Sequence, residues 1–327
     1  MRVAINGMGR IGRLLFRRLY NHPAIELVGV NDIMDPQNLA YLVKYDSVYG
    51  TFPGPITFTD GHLQSGNRSI LVLNQPNPAA LPWKALGVDV VLECSGHFTS
   101  PEAAGQHIKA GAHKVLLSTT GTADMPLLIY GFNQHALSED ISIFSPGGCM
   151  TNCSTHILYI LQAIGIESVQ VNFIHSYTSR QELVDAPHKD FRRGRAAAES
   201  IIPVPIDLAL SLERLITPLQ GRIATLSTRV PVANGALADF TFQMKDDITI
   251  EQVNTLFKKA AAGEYKGILE YTEEPIVSLD IKANTHSAII DGTLTSVVGR
   301  QLKLIAFFDN EYGYTSRMID WLEHWRA

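Results

Sequence analysis

Cys149 is the residue whose position most directly predicts chemistry. It follows two glycines, and a helical pattern from Asn152 to Gln162 begins just after it. A thiol at a helix N-terminus faces unpaired backbone N–H groups and the positive end of the helix dipole, and both favour the thiolate. Because the thiolate is the nucleophilic form, we expect a reactive cysteine. A lone free cysteine is also often a small buried side chain, so other residues must decide.

His175 is the natural partner for this thiol. It ends a predicted strand, Ser168 to His175, and its imidazole can take the thiol proton and form a thiolate–imidazolium pair. It also opens a long segment without clear periodicity, Thr178 to Pro203, and loops of this length are usually functional. Arginines in or near the segment predict an anion site, although a solvated loop or a subunit interface explains some of them equally well. They are Arg180, Arg192, Arg193, Arg195 and Arg229.

The N-terminal segment predicts a dinucleotide site. A short apolar strand is followed by a glycine loop, a helical pattern and a second strand. Gly7, Gly9 and Gly12 have the GxGxxG spacing that allows a tight turn, close approach of a pyrophosphate and close helix packing. Asp32 follows the second strand, where its carboxylate can bind ribose hydroxyls and would repel a 2′-phosphate. The pattern therefore predicts NAD rather than NADP.

The composition is that of an ordinary globular protein, with 46% hydrophobic and 18% charged residues and a net charge of −5 at pH 7. The negative charge argues against nucleic acid or an anionic membrane as a partner. Without a secretion signal or a run of about 18 apolar residues, we expect a cytoplasmic protein that does not enter membranes. Cys149 and Cys153 would share a helix face, but no second cluster has ligand spacing, so no metal is expected.

Two element patterns divide the chain. Up to residue 148, continuous apolar strands alternate with helices, which predicts a parallel sheet covered on both faces, an α/β domain of the Rossmann type. From residue 149, several strands alternate apolar and polar residues, which predicts an α+β domain with a mixed or antiparallel sheet. Further strands are expected there at Arg222 to Val232, Ala236 to Met244, Ile276 to Ile281, Ser287 to Asp291 and Leu302 to Asp309, with a helix at Ile250 to Ala262.

These features together predict one reaction class. The thiolate attacks an aldehyde to form a thiohemiacetal, hydride leaves to a nicotinamide, and a thioester forms on Cys149. Phosphate or water then releases the acyl group.

Over essentially its whole length, the chain resembles the phosphorylating glyceraldehyde-3-phosphate dehydrogenases and their relatives, the erythrose-4-phosphate dehydrogenases. The motifs that carry the resemblance are Ile5–Arg13, Lys44–Asp46, Cys149–Cys153, Ile174–Thr178, Arg193–Ala198, Arg229–Pro231 and Asp309–Tyr314. The resemblance implies a glycolytic, cytoplasmic homotetramer that uses NAD, a small phosphorylated aldehyde and inorganic phosphate. It also implies an NAD-binding domain at 1–148, completed by a C-terminal helix at 312–327. The catalytic domain would be 149–311, with an arginine-rich S-loop at about 178–203 beside the cofactor pockets.

The same resemblance implies roles for single residues. Cys149 would be the nucleophile and His175 the general base. The cofactor contacts would be Gly7, Gly9, Arg10, Ile11, Gly12, Asp32, Ser95, Gly96, Ser118, Asn310 and Tyr314, with Asn310 orienting the nicotinamide amide. The substrate and phosphate contacts would be Thr151, Thr178, Arg180, Arg195 and Arg229, with inorganic phosphate near Arg195.

Three departures from the family pattern bear on the substrate. Gly148 stands where a serine hydroxyl is expected to bind inorganic phosphate. Val204 to Asp207 replaces a Ser-Thr-Gly segment that also donates to phosphate, and Arg180 replaces an aspartate. Glyceraldehyde 3-phosphate is the predicted aldehyde. Three alternatives stay open: erythrose 4-phosphate, another anionic aldehyde with hydrolytic release, and a cofactor-binding regulator with little catalysis.

Overall fold

The computed structural model describes residues 1–326, and the chain divides into two compact units. One is Met1–Gly148 together with the C-terminal residues from Arg317, and the other is Cys149–Ser316. We expected the whole C-terminal helix, from residue 312, to belong with the first unit. Its first turn groups instead with the second unit, where a Cβ on Gly313 would lie 2.5 Å from the carbonyl oxygen of His286.

The first unit is built around an eight-stranded sheet. The strands of this unit are β1 (Arg2–Asn6), β2 (Glu26–Asn31), β3 (Tyr45–Asp46), β4 (Gly50–Thr51), β5 (Thr57–Thr59), β6 (His62–Ser65), β7 (Arg68–Leu73), β8 (Val90–Glu93), β9 (Lys114–Leu117) and β10 (Ile143–Phe144). Its helices are α1 (Arg10–Leu19), α2 (Pro36–Lys44), α3 (Trp83–Leu86) and α4 (Pro101–Lys109).

The strand order explains where a ligand can bind in this unit. The order is β10-β9-β8-β1-β2-β7-β6-β5, with parallel neighbours from β10 to β7, while β3 and β4 pair separately. The chain passes from β1 through α1 to β2 on one side, and β8 lies on the other side of β1. The carboxyl ends of β1 and β8 therefore form a topological switch point, where open α/β sheets bind ligands.

Apolar residues on both faces hold this sheet. All four residues of β8 are buried, as are the last four of β1, which a parallel sheet between helix layers requires. The C-terminal residues add to the same core. Trp321 is fully buried, and its ring lies 4.8 Å from that of Phe144 and 5.6 Å from that of Tyr130.

The second unit has a mixed sheet of eight strands. Its elements are α5 (Cys149–Gln162), β11 (Ile166–Ser176), β12 (Ile202–Pro205), α6 (Leu208–Leu215), β13 (Ile223–Val230), β14 (Ala236–Met244), α7 (Ile250–Ala262), β15 (Leu269–Thr272), β16 (Ala288–Asp291), β17 (Ser296–Val298), β18 (Gln301–Phe308) and the start of α8 (Tyr312–Arg326). The order is β12-β13-β11-β14-β18-β16-β15, with β17 on β18. β11 runs parallel to β13 and β15 to β16, and the other pairs are antiparallel. The predicted fold class is confirmed.

The strand predicted at Ile276 to Ile281 is wrong. Asp280 turns the chain there, because its side chain accepts a hydrogen bond from Val277 N at 2.7 Å and its own N–H donates to Val277 O at 3.0 Å. Two of the three alternating apolar residues are exposed, Val277 at 59% and Leu279 at 77%, whereas Ile281 is buried. The edge strand of the sheet is β15, earlier in the chain.

The long segment between β11 and β12 is irregular, as expected, with no helix or strand in residues 177–201. None of the helices in residues 1–326 has both the length and the apolar character needed to cross a membrane.

Candidate active site

The glycine loop of the first unit is formed by close backbone contacts. At Gly7, which has φ +94°, a Cβ would lie 2.3 Å from the nitrogen of Ser95. At Gly12 a Cβ would lie 2.0 Å from the carbonyl oxygen of Gly7, whereas at Gly9 it would meet nothing within 4 Å. The first turn of α1, directly after Gly9, contains no acidic residue. An open position at a helix N-terminus suits a pyrophosphate.

Arg10 lies inside the glycine motif, and Asp32 follows β2. The carboxylate of Asp32 accepts hydrogen bonds from Met8 N at 2.5 Å and Met34 N at 2.9 Å, which fixes its orientation after β2. Arg10 is the first residue of α1, but its Nη1 donates to Asp46 Oδ2 at 2.7 Å. Arg10 is therefore placed to offer its backbone, rather than its guanidinium, to the opening at the helix start.

A buried carboxylate, Glu93, organises the neighbouring strand ends. Its Oε1 accepts from Ser95 N at 2.8 Å and Ser95 Oγ at 2.5 Å, and its Oε2 accepts from Asn6 Nδ2 at 2.6 Å. Its carbonyl oxygen accepts from Ser118 N at 2.9 Å. Gly96 follows Ser95 with φ +72°. These predicted cofactor residues follow β8 and β9 at the carboxyl edge of the sheet.

The first unit therefore fits NAD at its switch point. The glycine loop with Ile11, the carboxylate of Asp32 and the ends of β8 and β9 all lie at one edge of the same sheet. The opening at Gly9 can accept the pyrophosphate, and the carboxylate can accept ribose hydroxyl protons.

Cys149 is the first residue of α5 in the second unit. Burial raises the pKa of its thiol to about 11. The charge of Arg229 and the backbone N–H groups of Met150 and Cys149 act in the opposite direction. The helix N-terminus thus favours the thiolate, as expected, but burial outweighs it. Burial therefore favours the protonated thiol, and the thiolate–imidazolium pair stays a prediction.

His175 lies beside this thiol. Its Nε2 is 3.8 Å from Cys149 Sγ, and the side chain is buried in β11. Nδ1 lies 2.8 Å from the carbonyl oxygen of Ser176, and donating there leaves the Nε2 lone pair facing the thiol. Arg229 Nη1 is 2.7 Å from the same Nδ1, a hydrogen bond only in the other tautomer. Burial and then the charge of Arg229 lower the pKa of His175 to about 3, so the imidazole is neutral at pH 7.

Strand register places Arg229 next to the base. β13 runs parallel to β11 with Arg229 opposite His175, and Arg229 Nη1 donates to Ser176 O at 3.2 Å. Arg229 is 7% exposed, and within residues 1–326 its Nε has no hydrogen-bond partner. Burial and the nearby charges of Arg193 and Arg180 lower its pKa to about 10, which leaves it positive at pH 7. A buried cation with an unused donor is suited to an anion.

Asn310 lies between β18 and α8 and is 9% exposed. Its Oδ1 accepts from Gly235 N at 2.9 Å and from Ser176 Oγ at 3.3 Å. With the amide oxygen turned to these donors, Nδ2 is the end that can donate to a carboxamide oxygen. Tyr314 is buried in the first turn of α8.

The arginine-rich segment folds back on itself. Glu182 N donates to the carbonyl oxygen of Arg193 at 3.0 Å, so that residue 193 returns to the part of the segment next to Arg180. The side chain of Arg193 is 18% exposed and pairs with Asp190 at 3.3 Å. Arg180 is exposed and makes no ion pair with any described residue. The charges of both arginines act on Arg229.

Arg195, which we expect near inorganic phosphate, lies at the surface. Its side chain is 67% exposed, and its Nε lies 3.0 Å from Asp185 Oδ2. The charge of Arg193 acts on Arg229. The role of Arg195 at inorganic phosphate stays a prediction.

The two threonines expected to contact the substrate differ in exposure. Thr151 is buried in the first turn of α5, where its carbonyl oxygen accepts from Thr155 Oγ1 at 2.7 Å. Thr178 is half-buried, and its backbone N–H donates to Gln181 Oε1 at 3.2 Å. Asp207, a departure from the family pattern, is exposed just before α6.

Comparison with known proteins identifies the family. The model of the glyceraldehyde 3-phosphate dehydrogenase NAD binding domain matches residues 1–101, and that of the C-terminal domain matches residues 148–310. Glyceraldehyde-3-phosphate dehydrogenase 1 of Streptomyces avermitilis is 43% identical over 323 residues, which are 98% of this chain and 97% of that protein. The enzyme of Thermotoga maritima is 42% identical over 326 residues, 98% of each chain. The chain belongs to the glyceraldehyde-3-phosphate dehydrogenase family.

As a member of the glyceraldehyde-3-phosphate dehydrogenase family, the protein is an NAD-dependent oxidoreductase. The predictions of an enzyme and of NAD as cofactor are confirmed, and the regulator without catalysis is not supported. In the described part of the chain, no group of three or more His, Cys, Asp or Glu side chains could hold a metal ion.

Residues that complete the site of this family member were missed from the sequence. Ser176 lies inside a recognised motif, but nothing in its spacing distinguished it from its neighbours. Arg193 was among the arginines of the predicted anion site, but its spacing did not single it out. Asn234 precedes Gly235, and an Asn-Gly pair between two strands is typical of a hairpin turn. The strands that it joins, β13 and β14, lie on either side of β11 and do not pair. The pair therefore indicates a turn but not its contact with Asn310, because the contact joins distant parts of the chain.

Proposed function

We propose that this protein oxidises glyceraldehyde 3-phosphate with NAD and transfers the acyl group to inorganic phosphate. The observation that carries the proposal is the group of half-buried Cys149 with buried His175 and Arg229, in which a thiol, a neutral base and a cation lie together. The names of the relatives support the choice of aldehyde.

Acylation begins with the protonated thiol. Cys149 Sγ attacks the aldehyde carbon while its proton moves to His175 Nε2, 3.8 Å away. The same proton then neutralises the carbonyl oxygen, which gives a thiohemiacetal and returns the imidazole to its neutral form. Arg229 binds the substrate phosphate with Thr178, since its buried Nε has no other partner among residues 1–326.

Oxidation needs a base at the new hydroxyl group. Bound NAD supplies the hydride acceptor. His175 takes the hydroxyl proton, so that the carbonyl of the thioester forms on Cys149. The nitrogen of the Asn310 amide holds the carboxamide of the cofactor, because the amide oxygen already accepts from Gly235 and Ser176.

Release transfers the acyl group to phosphate. A phosphate oxygen attacks the thioester carbon, the carbon–sulfur bond breaks, and the proton on His175 moves to the sulfur. Two anions must then be bound at once, and Arg229 and Arg193 supply a cation for each.

The test is NADH formation by the purified enzyme with glyceraldehyde 3-phosphate, with and without inorganic phosphate. We expect turnover that requires phosphate and that is lost in Cys149→Ser. Absence of turnover with both this aldehyde and erythrose 4-phosphate would contradict the substrate assignment. Turnover that does not depend on phosphate would show hydrolytic release.

A second candidate is a different anionic aldehyde, and Arg180 is the observation that favours it. This exposed cation has no ion pair in the described residues, and it adds a third positive charge near Arg229. If it selects the substrate, Arg180→Asp should change the ratio of kcat/KM between glyceraldehyde 3-phosphate and a more highly charged aldehyde by about tenfold or more. Arg192→Asp, on the same segment, is the matched control. An unchanged ratio would remove this candidate.

A further inference from the structure

Asn234, in the turn between β13 and β14, is joined to the end of β18. Its Nδ2 donates to Asp309 Oδ1 at 3.1 Å and lies 3.5 Å from Asn310 Oδ1. Both acceptors follow β18 directly, although they are about 75 residues away in the chain. Asn234 therefore lies against the residue that we propose binds the carboxamide of NAD.

Asp309 gives this turn a fixed anchor. It is 1% exposed, and its Oδ1 also accepts from the backbone N–H groups of Glu311 at 2.9 Å and Tyr312 at 2.8 Å. Its Oδ2 accepts at 2.8 Å from the backbone N–H of Ala283, a residue with φ +62°. The carboxylate thus caps the start of α8 and has little freedom to move. Asn234 therefore donates to a carboxylate whose own position is fixed by three backbone N–H groups.

The Asn310 amide has three donors around its oxygen. They are Gly235 N at 2.9 Å, Ser176 Oγ at 3.3 Å and Asn234 Nδ2 at 3.5 Å. A carbonyl oxygen accepts from all three, whereas an amide NH₂ in the same place would face the N–H groups of Gly235 and Asn234 and could donate only to the Ser176 hydroxyl. The surroundings therefore specify one of the two amide orientations, which differ by a half turn about the last side-chain bond.

We propose that Asn234 is a positioning residue, which with Ser176 holds the Asn310 amide so that its nitrogen faces the carboxamide of NAD. This inference rests on the proposed role of Asn310. In this proposal Asn234 acts on NAD only through Asn310 and does not contact the cofactor itself. Ser176 contributes from the other side, and its carbonyl oxygen accepts from Arg229, so one residue contacts both Arg229 and the Asn310 amide.

The test is a double-mutant cycle on cofactor binding, measured by titration calorimetry without aldehyde. Asn234→Ala should weaken NAD binding about tenfold, since losing a hydrogen bond at a buried group costs on the order of 1 kcal/mol or more. The same variant should bind ADP-ribose, which lacks the nicotinamide, as the parent does. In an Asn310→Ala background, Asn234→Ala should have no further effect on NAD.

Matched controls separate this role from general damage to the fold. Asn254 lies on α7, and its Nδ2 donates to Gly292 O at 3.0 Å. Asn254→Ala removes this comparable hydrogen bond and should leave NAD binding unchanged. Ser176→Ala provides a second cycle with the same expected pattern if Asn234→Ala does not fold. The inference about Asn234 would be overturned if Asn234→Ala weakened NAD binding equally in the parent and in the Asn310→Ala background. It would also be overturned if the loss extended to ADP-ribose. If Asn310→Ala alone leaves NAD affinity unchanged, it is the proposed role of Asn310 that fails.

Discussion

In the mechanism that we propose, the thiol of Cys149 gives its proton to the imidazole of His175 during attack on the aldehyde. Arg229 affects the two members of this pair in different ways. Its charge lowers the pKa of Cys149, which favours the thiolate, and lowers the pKa of His175, which disfavours the imidazolium ion. One cation therefore assists the nucleophile and keeps the base free to accept a proton.

Replacing Arg229 by glutamine tests this arrangement. The thiol pKa should rise further, because the charge that opposes burial is lost, while the His175 pKa should rise toward its ordinary value. Alkylation of Cys149 by iodoacetamide at pH 8 should be about tenfold slower, as less thiolate is present at that pH. The measurement is the alkylation rate from pH 6 to 10, followed on the Cys149 peptide by mass spectrometry.

A control for this prediction is available on the arginine-rich segment. Arg192 is exposed, and its charge is not among those that act on Cys149. Arg192→Gln should therefore give the parent pH profile. An Arg229→Gln profile that moves to lower pH, or does not move, would contradict the electrostatic role of Arg229.

At the scale of elements, the junction of β1 and α1 assigns different tasks to its glycines. A Cβ at Gly12 would meet the loop backbone at 2.0 Å, whereas a Cβ at Gly9 would enter open space. Gly12→Ala should lower the thermal unfolding midpoint by about 5 °C, because overpacking costs roughly 1 to 3 kcal/mol. Gly9→Ala should leave the midpoint within about 2 °C but weaken NAD binding about tenfold or more, since the methyl group takes the space of the pyrophosphate.

The two glycine variants are controls for each other, with differential scanning fluorimetry for the midpoint and calorimetry for NAD. Gly9 has φ −68°, which alanine adopts without strain, so only the ligand should detect that methyl group. Loss of stability in Gly9→Ala, or unchanged NAD binding, would show that the opening at Gly9 is not the pyrophosphate site.

Elements were predictable from the sequence where local spacing determines them. The glycine loop is one example, because its GxGxxG spacing lies within a single strand–helix connection, although Gly7 also meets Ser95 from a distant part of the chain. Residues 276–281 show that one local contact can override a pattern, since the side chain of Asp280 accepts from a residue three positions earlier and turns the chain. The position of Arg193 depends instead on the fold-back at Glu182, which no spacing in the sequence predicts.

For the whole molecule, the exposed apolar side chains of the S-loop bear on assembly. Val184 is 74%, Phe191 87% and Ile201 72% exposed, all within one irregular segment. Apolar groups clustered in this way mark an interaction surface, and a symmetric homo-oligomer is the usual way to cover one. The homotetramer implied by the family resemblance would cover them with other copies of the chain.

Light scattering of the purified protein should then give a mass of about four times 36.0 kDa. Phe191→Asp should lower this mass at micromolar concentration, because a carboxylate cannot enter an apolar interface without a partner. Val298→Asp is the control, since Val298 is 76% exposed but lies at the β17–β18 hairpin, outside the S-loop. A monomeric parent, or an equal loss of mass in both variants, would show that the S-loop does not mediate assembly. Retention of NAD binding by a dissociated Phe191→Asp variant would further show that each chain binds the cofactor without its neighbours.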